Sequence, residues 1–151
     1  MRKLLIILAT SCASFESHGF WSLGLNGSMT DVNGVASHGY GIHGSFHISP
    51  YLGFELGYKK LGEDHSSGVE VSYDSLSFLV QPNYRLSLFN VYANLGTHVY
   101  EGESDLQAQF VYGIGAELPI SNQFTLSTEY NFYNVGATDI EALTFKANYY
   151  F

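Results

Sequence analysis

From residue 19 onward, apolar and polar side chains alternate with a period of two. That pattern marks strands with one face in an apolar medium and the other in a polar one. Trp21, Leu23 and Leu25 alternate with Ser22, Gly24 and Asn26, and Tyr40, Ile42, Gly44, Phe46 and Ile48 with Gly41, His43, Ser45 and His47. Leu52, Phe54, Leu56 and Tyr58 alternate with Gly53, Glu55, Gly57 and Lys59, and Leu76, Phe78 and Val80 with Ser75, Ser77, Leu79 and Gln81. The same rhythm runs through Phe89–Val99, Phe110–Leu118, Phe124–Phe132 and Leu143–Phe151. Eight segments result, each about ten residues long, the length that crosses a bilayer as a tilted strand. No helical period competes with them.

The connections alternate in length. Ser49-Pro50-Tyr51, Leu86-Ser87-Leu88 and Ser121-Asn122-Gln123 read as tight turns, and the other four, 30–38, 61–72, 101–108 and 134–141, as longer loops. Short turns on one side and longer loops on the other are a property of transmembrane barrels. With an even strand count both termini lie on the short-turn side, which is the periplasmic side of such a barrel. The expected fold is all-β, an eight-stranded antiparallel up-and-down transmembrane barrel.

The two faces say which medium each meets. A soluble barrel packs its apolar face inward and covers its outside with charge. Here the polar face is rich in small residues (Gly24, Gly41, Ser45, Gly53, Gly57, Ser75, Ser77, Gly96, Gly113, Gly115, Ser127), and the apolar face carries large side chains on every strand. A narrow interior needs small residues beside its few large ones. The apolar face is therefore assigned to lipid. Aromatics gather at both strand ends, with Tyr51, Tyr84, Phe89, Phe124, Tyr149 and Phe151 near the short turns and Tyr40, Tyr58, Tyr73, Phe110 and Phe132 toward the long loops. Two girdles at the membrane interfaces follow from that placement.

Composition narrows the picture further. The chain has 151 residues, 13% charged and 16% aromatic, with a mean hydropathy near zero. No run approaches the roughly 20 apolar residues of a membrane helix. The formal net charge is −8, and the basic residues form no patch beyond Lys59-Lys60, so nucleic acid is excluded as a partner. Residues 1–19 read as a secretory signal: Arg2 and Lys3, the apolar run Leu4–Ala9, then small residues. Cleavage after Ala13 and after Gly19 both fit, leaving a barrel over 20–151. Ala9-Thr10-Ser11-Cys12 loosely matches a lipoprotein pattern, with Ala where Leu is usual. Type I cleavage instead discards Cys12, the single cysteine, and with it any disulfide or thiol chemistry.

Several stretches resemble the OmpA-like transmembrane domain. Ser49-Pro50-Tyr51-Leu52-Gly53-Phe54-Glu55-Leu56-Gly57-Tyr58-Lys59-Lys60-Leu61-Gly62 is similar to that family's second-to-third strand region. Val91–Gly96 is similar to its fifth strand, and Tyr112–Leu118 with Leu126–Tyr130 to its sixth and seventh. The closing Asn148-Tyr149-Tyr150-Phe151 resembles its terminal aromatic signature. The resemblance implies a small eight-stranded barrel in a Gram-negative outer membrane, in contact with outer-membrane lipid and lipopolysaccharide. Many relatives add a C-terminal peptidoglycan-binding domain, which has no counterpart in residues 20–151. Tyr149 and Phe151 resemble the signal read by the barrel-insertion machinery, and strand addition to an open sheet edge supplies a physical route.

Candidate chemistry lies on the polar face. Glu55, Lys59, Glu117, Glu129 and Lys146 all point inward by parity, and charges in a narrow lumen must pair. Glu129 and Lys146 sit on adjacent strands at similar depth and are expected to form an ion pair that Glu117 joins. Such a network plugs the lumen, and a low-conductance channel is the alternative. A filled lumen leaves no room for a sugar between paired carboxylates. His43 and His47 share a face but are about 13 Å apart at ~3.3 Å per residue, too far to ligate one metal together. His38, His65 and His98 add no metal spacing, so no metal or other cofactor is expected. Asp64-His65-Ser66-Ser67 and His98 offer residue types of a lipid-hydrolysing set. No supporting motif accompanies them, and no enzymatic activity is expected. Acidic residues (Asp31, Glu63, Asp64, Glu70, Asp74, Glu101, Glu103, Asp105, Asp139, Glu141) crowd the long-loop rim, opposed there only by Lys59 and Lys60. The sequence thus describes a monomeric structural barrel with an acidic outer rim open to an unidentified extracellular ligand. A lipid-modifying enzyme is the more distant reading.

Overall fold

Alternating side chains, Gly-rich inner positions and tight turns combine into one closed sheet. The computed structural model describes residues 21–32, 34–64, 71–101, 106–135 and 138–151. The expected signal segment, Cys12, His65, Glu70, Glu103 and Asp105 lie outside the described residues. The strands are β1 (Trp21–Val32), β2 (Val35–Ser49), β3 (Leu52–Asp64), β4 (Val71–Arg85), β5 (Asn90–Glu101), β6 (Leu106–Pro119), β7 (Phe124–Val135) and β8 (Thr138–Tyr150). Each pairs antiparallel with its neighbours in sequence, and β1 closes on β8, so the sheet is an eight-stranded up-and-down barrel. Closure leaves no strand edge unpaired, as a bilayer requires. Leu25 faces Ala147 and Ser22 faces Tyr150 across the closing seam.

The strands are 12 to 15 residues long, longer than the alternation suggests. Much of what reads as long loop is strand. Pairing runs out to Val32↔Val35, Asp64↔Val71, Glu101↔Leu106 and Val135↔Thr138. The two ends of the barrel therefore differ less in loop length than expected. Polar side chains on the outer face obscure the period there, but the backbone ladder continues as long as inward side chains pack. The β1–β2 turn is closed by Gly34, whose φ of 82° lies in the left-handed region that only glycine enters freely. Its amide donates to Asp31 Oδ1 at 2.7 Å.

Burial is inverted relative to a soluble protein. Among the described residues, Leu25, Phe78, Ile114 and Phe145 are at least half exposed, while twenty polar or charged side chains are buried against seven apolar ones. Only an apolar exterior medium makes that arrangement stable, because large exposed apolar surfaces aggregate in water. Rings cluster near both ends of the wall. Phe124, Tyr149 and Phe151 make edge contacts at 5.1 Å by the short turns, and Tyr112 stacks on Phe132 at 5.2 Å toward the other end.

Candidate functional site

The inward positions of five strands converge on one network around Lys146. From β8 its ammonium reaches across the lumen to Glu55 on β3, at 2.6 and 2.7 Å from the two carboxylate oxygens. It also lies 2.5 Å from Glu129 Oε1 on β7. All three side chains are at most 7% exposed. One cation thus bridges two buried carboxylates, and neutral amides complete the circuit. Gln81 Nε2 donates to Glu55 Oε2 at 3.1 Å and to Asn94 Oδ1 at 2.9 Å. Asn94 donates to Asn131 Oδ1, and Asn131 donates to Glu129 Oε2. The result is a hydrogen-bonded ring passing through β8, β3, β4, β5 and β7. Tyr92 adds a hydroxyl donated to Glu129 Oε1 at 2.9 Å.

Glycine makes room for this ring. A Cβ at Gly115 would sit within 2.7 Å of the Tyr92 ring and hydroxyl, so only the bare backbone of β6 lets Tyr92 lie across the lumen. Likewise, a Cβ at Gly24 would meet the His43 ring at 2.5 Å. His43 is buried, with Nε2 2.6 Å from Asn148 Oδ1 and Nδ1 3.4 Å from Asn26 Nδ2. That fixes the tautomer with hydrogen on Nε2, donating to Asn148, because an amide nitrogen can only donate to Nδ1.

Two of the five expected charges sit apart from the ring. Glu117 does not join the Glu129–Lys146 pair. It accepts from Thr125 Oγ1 at 2.9 Å, Tyr150 OH at 3.1 Å, Asn148 Nδ2 at 3.2 Å and Asn90 Nδ2 at 3.5 Å. Register does not separate them, since Glu117 and Lys146 both stand opposite Ser127; the Lys146 ammonium turns to Glu55 and Glu129, and hydroxyls and amides near the short turns take the Glu117 carboxylate. Lys59 lies on the other side of the ring and donates to Tyr133 OH at 3.1 Å and Thr144 Oγ1 at 3.0 Å, its ammonium 5.5 Å from the centre of the Tyr133 ring. The cation–π contact adds to these two hydrogen bonds.

Sequence parity finds the charges but misses their neutral partners Gln81, Tyr92, Asn94, Asn131 and Tyr133. Their inward parity is a visible signal; which amide meets which across the lumen depends on strand stagger. Sequence reading also misses an apolar layer. Leu61, Leu79, Tyr100, Val111, Tyr133, Ile140 and Ala142 all point inward at 5% exposure or less and form one cluster. Below it, toward the short turns, a cavity of about 20 Å³ is lined by Ser45, His47, Glu55, Tyr92, Glu117 and Lys146 among others.

Among the described residues no group of three or more His, Cys, Asp or Glu is placed to hold a metal ion. His98 is buried between Ser75 Oγ, 3.0 Å from Nδ1, and the Asn134 carbonyl, 2.8 Å from Nε2. On the outer rim, Asp31 and Glu141 lie directly opposite each other on β1 and β8, and Glu141 accepts from Tyr130. Lys60 lies opposite Asp74 on β3 and β4.

The family model for the outer membrane protein beta-barrel domain matches residues 4–151. Outer membrane protein A of Klebsiella aerogenes is 27% identical over 136 residues, which cover 81% of this chain and 38% of that protein. The chain thus spans well under half the length of this relative. Among solved structures, the Yersinia pestis outer membrane protein Ail in a phospholipid bilayer nanodisc superposes with a TM-score of 0.63 at 15% identity, covering 89% of this chain and all of that one. A crystal structure of the same Ail, in complex with the heparin analogue sucrose octasulfate, gives a TM-score of 0.59 at 16% identity over 91% of this chain and all of that one. An inverted eight-stranded wall, a polar buried interior and a family match over nearly the whole chain agree: the protein belongs to the outer membrane protein beta-barrel domain family, as an OmpA-like barrel of the Gram-negative outer membrane.

Proposed function

We propose that this protein is a filled structural barrel that supports outer-membrane integrity and offers its rim to surface partners, and that it works neither as a pore nor as an enzyme. The observation that carries the reading is Lys146 held between Glu55 and Glu129 across the lumen. Eight strands enclose only enough space for side chains, and here those side chains are bonded to one another from wall to wall. A ring of this kind stiffens the cylinder against lateral pressure. The cavity of about 20 Å³ in the lumen is too small for a substrate, and His98 with Ser75 is buried, which argues against hydrolytic use.

The short turns at residues 50–51, 86–89 and 120–123 are read as the periplasmic end, which places both ends of the barrel domain there. Tyr149 and the terminal Phe151 are read as the signal for the insertion machinery. Phe151 is 66% exposed, and its amide donates to the Trp21 carbonyl at 3.0 Å, so it remains accessible at the closing seam. Lipopolysaccharide surrounds the opposite rim. Asp31, Asp74, Asp139 and Glu141 make that rim acidic, so contact with anionic lipopolysaccharide requires bridging divalent cations. The same sign disfavours a ligand such as the heparin analogue sucrose octasulfate found in complex with Ail and favours basic partners. The barrel functions as a monomer.

Planar-bilayer recordings of the purified, reconstituted protein test the filled-lumen reading. A quiet baseline is expected. Stable unitary currents abolished by Glu129→Ala or Lys146→Ala would establish the low-conductance channel instead.

A further inference from the structure

The lumen is not polar throughout, and its apolar part lies where a permeating ion would have to leave toward the outer rim. The cluster takes a side chain from each of β3 to β8, for example Leu61 on β3, Leu79 on β4, Val111 on β6 and Ile140 on β8. The two remaining strands close in with backbone and small side chains. Thr30 on β1 donates to the Leu61 carbonyl at 2.6 Å, and buried Gly39 on β2 lies against the Lys60 carbonyl and the Ser28 hydroxyl. Several polar atoms at the layer's borders are occupied, while the buried Ser28 hydroxyl has no hydrogen-bond partner. Tyr133 OH takes Lys59, Tyr100 OH donates to Gln107, and the His98 ring packs edge-on against Tyr133 at 5.2 Å. The cavity of about 20 Å³ is lined by polar residues below this level and touches none of the cluster. A volume of that size holds about one water.

We propose that this apolar layer, and not the Glu55–Lys146–Glu129 network, is the barrier to ions and water. The lumen is then a polar chamber with one open end, at the short turns. The proposal rests on the filled-barrel reading and locates the seal within it. Carboxylates and amides can replace part of an ion's hydration shell, and their side chains can exchange partners as an ion passes. An apolar constriction offers no replacement and closes by dewetting.

Recordings on the full-length protein separate the possibilities. The wild type, Lys146→Met and the double variant Leu61→Ser/Ile140→Ser are compared, each checked for folding by heat-modifiable gel mobility. Wild type and Lys146→Met are expected to stay closed, while the double variant shows openings at least about tenfold more frequent, since polar groups rewet a constriction. A double variant that stays closed, or Lys146→Met conducting at least as well, overturns the proposal. A conducting wild type overturns the filled-barrel reading itself. If the double variant does not fold, thiol access decides in a Cys12→Ser background. Ser127→Cys, in the chamber, is expected to react with a small water-soluble thiol reagent and Ala142→Cys, in the layer, to stay unmodified; equal labelling of both contradicts the seal.

Discussion

Lys146 is the residue whose removal should be felt most. It neutralises two carboxylates that are both buried, and taking away one partner leaves charge without compensation. Lys146→Met should lower stability by about 3–5 kcal/mol, read as a fall in the urea midpoint of the barrel refolded in lipid vesicles. Adding Glu129→Gln should restore part of the loss, because one orphaned charge disappears. An unchanged midpoint in the single variant would mean the ring is slack. Gly115→Val makes a second point at this scale. Its branched side chain must displace Tyr92, at a cost of about 1–3 kcal/mol for overpacking, with Tyr fluorescence and the urea midpoint as readouts. Parity alone places every one of these side chains inward. What it leaves out is which inward neighbour a long side chain reaches: Glu117 and Lys146 both stand opposite Ser127, yet the Lys146 ammonium meets Glu129, two residues along the strand. A two-residue step along a strand is about 6–7 Å, which the long lysine side chain spans.

At the scale of the strand, the reading from sequence is right about number, order and face and short about length. The transmembrane stretch announces itself by large apolar side chains. Beyond it the outward positions turn to Asp31, Asp74 and Glu141, the alternation loses contrast, and the segment reads as loop. Inward positions such as Thr30, Ile140 and Tyr133 remain buried there, and that packing carries the ladder outward. The apolar layer is hidden for the same reason, since its members occupy inward positions at or past the ends of the segments that alternation delimits. Leu79 is the exception, standing in plain sight among Ser75, Ser77 and Gln81. The last strand carries a separate expectation. Phe151 joins the seam through a backbone bond to Trp21 but keeps its side chain exposed. Deleting it should leave the lumen ring intact and reduce the amount of protein reaching the outer membrane, measured by fractionation and immunoblot. Undiminished membrane levels would remove Phe151 from any role in insertion.

For the whole molecule, a mean hydropathy near zero is the average of two faces that never share a medium. The outer face is apolar enough for lipid, the inner one polar enough to be cross-bonded, and neither alone resembles the average. The net charge of −8 is likewise unevenly placed, with acidic side chains gathered at one rim and a nearly balanced set within the lumen. This inversion is what the account depends on, because a soluble barrel of the same strand order would carry its apolar side chains inside. The most direct check is electrophoretic mobility of the membrane-embedded protein, unheated and heated, in outer-membrane fractions. Closed barrels resist unfolding by detergent until heated, so the expected result is a faster band without heating that shifts on boiling to the slower position of the unfolded chain, present in the outer-membrane fraction and absent from the soluble one. A single heat-independent band recovered in the soluble fraction would contradict the inverted barrel.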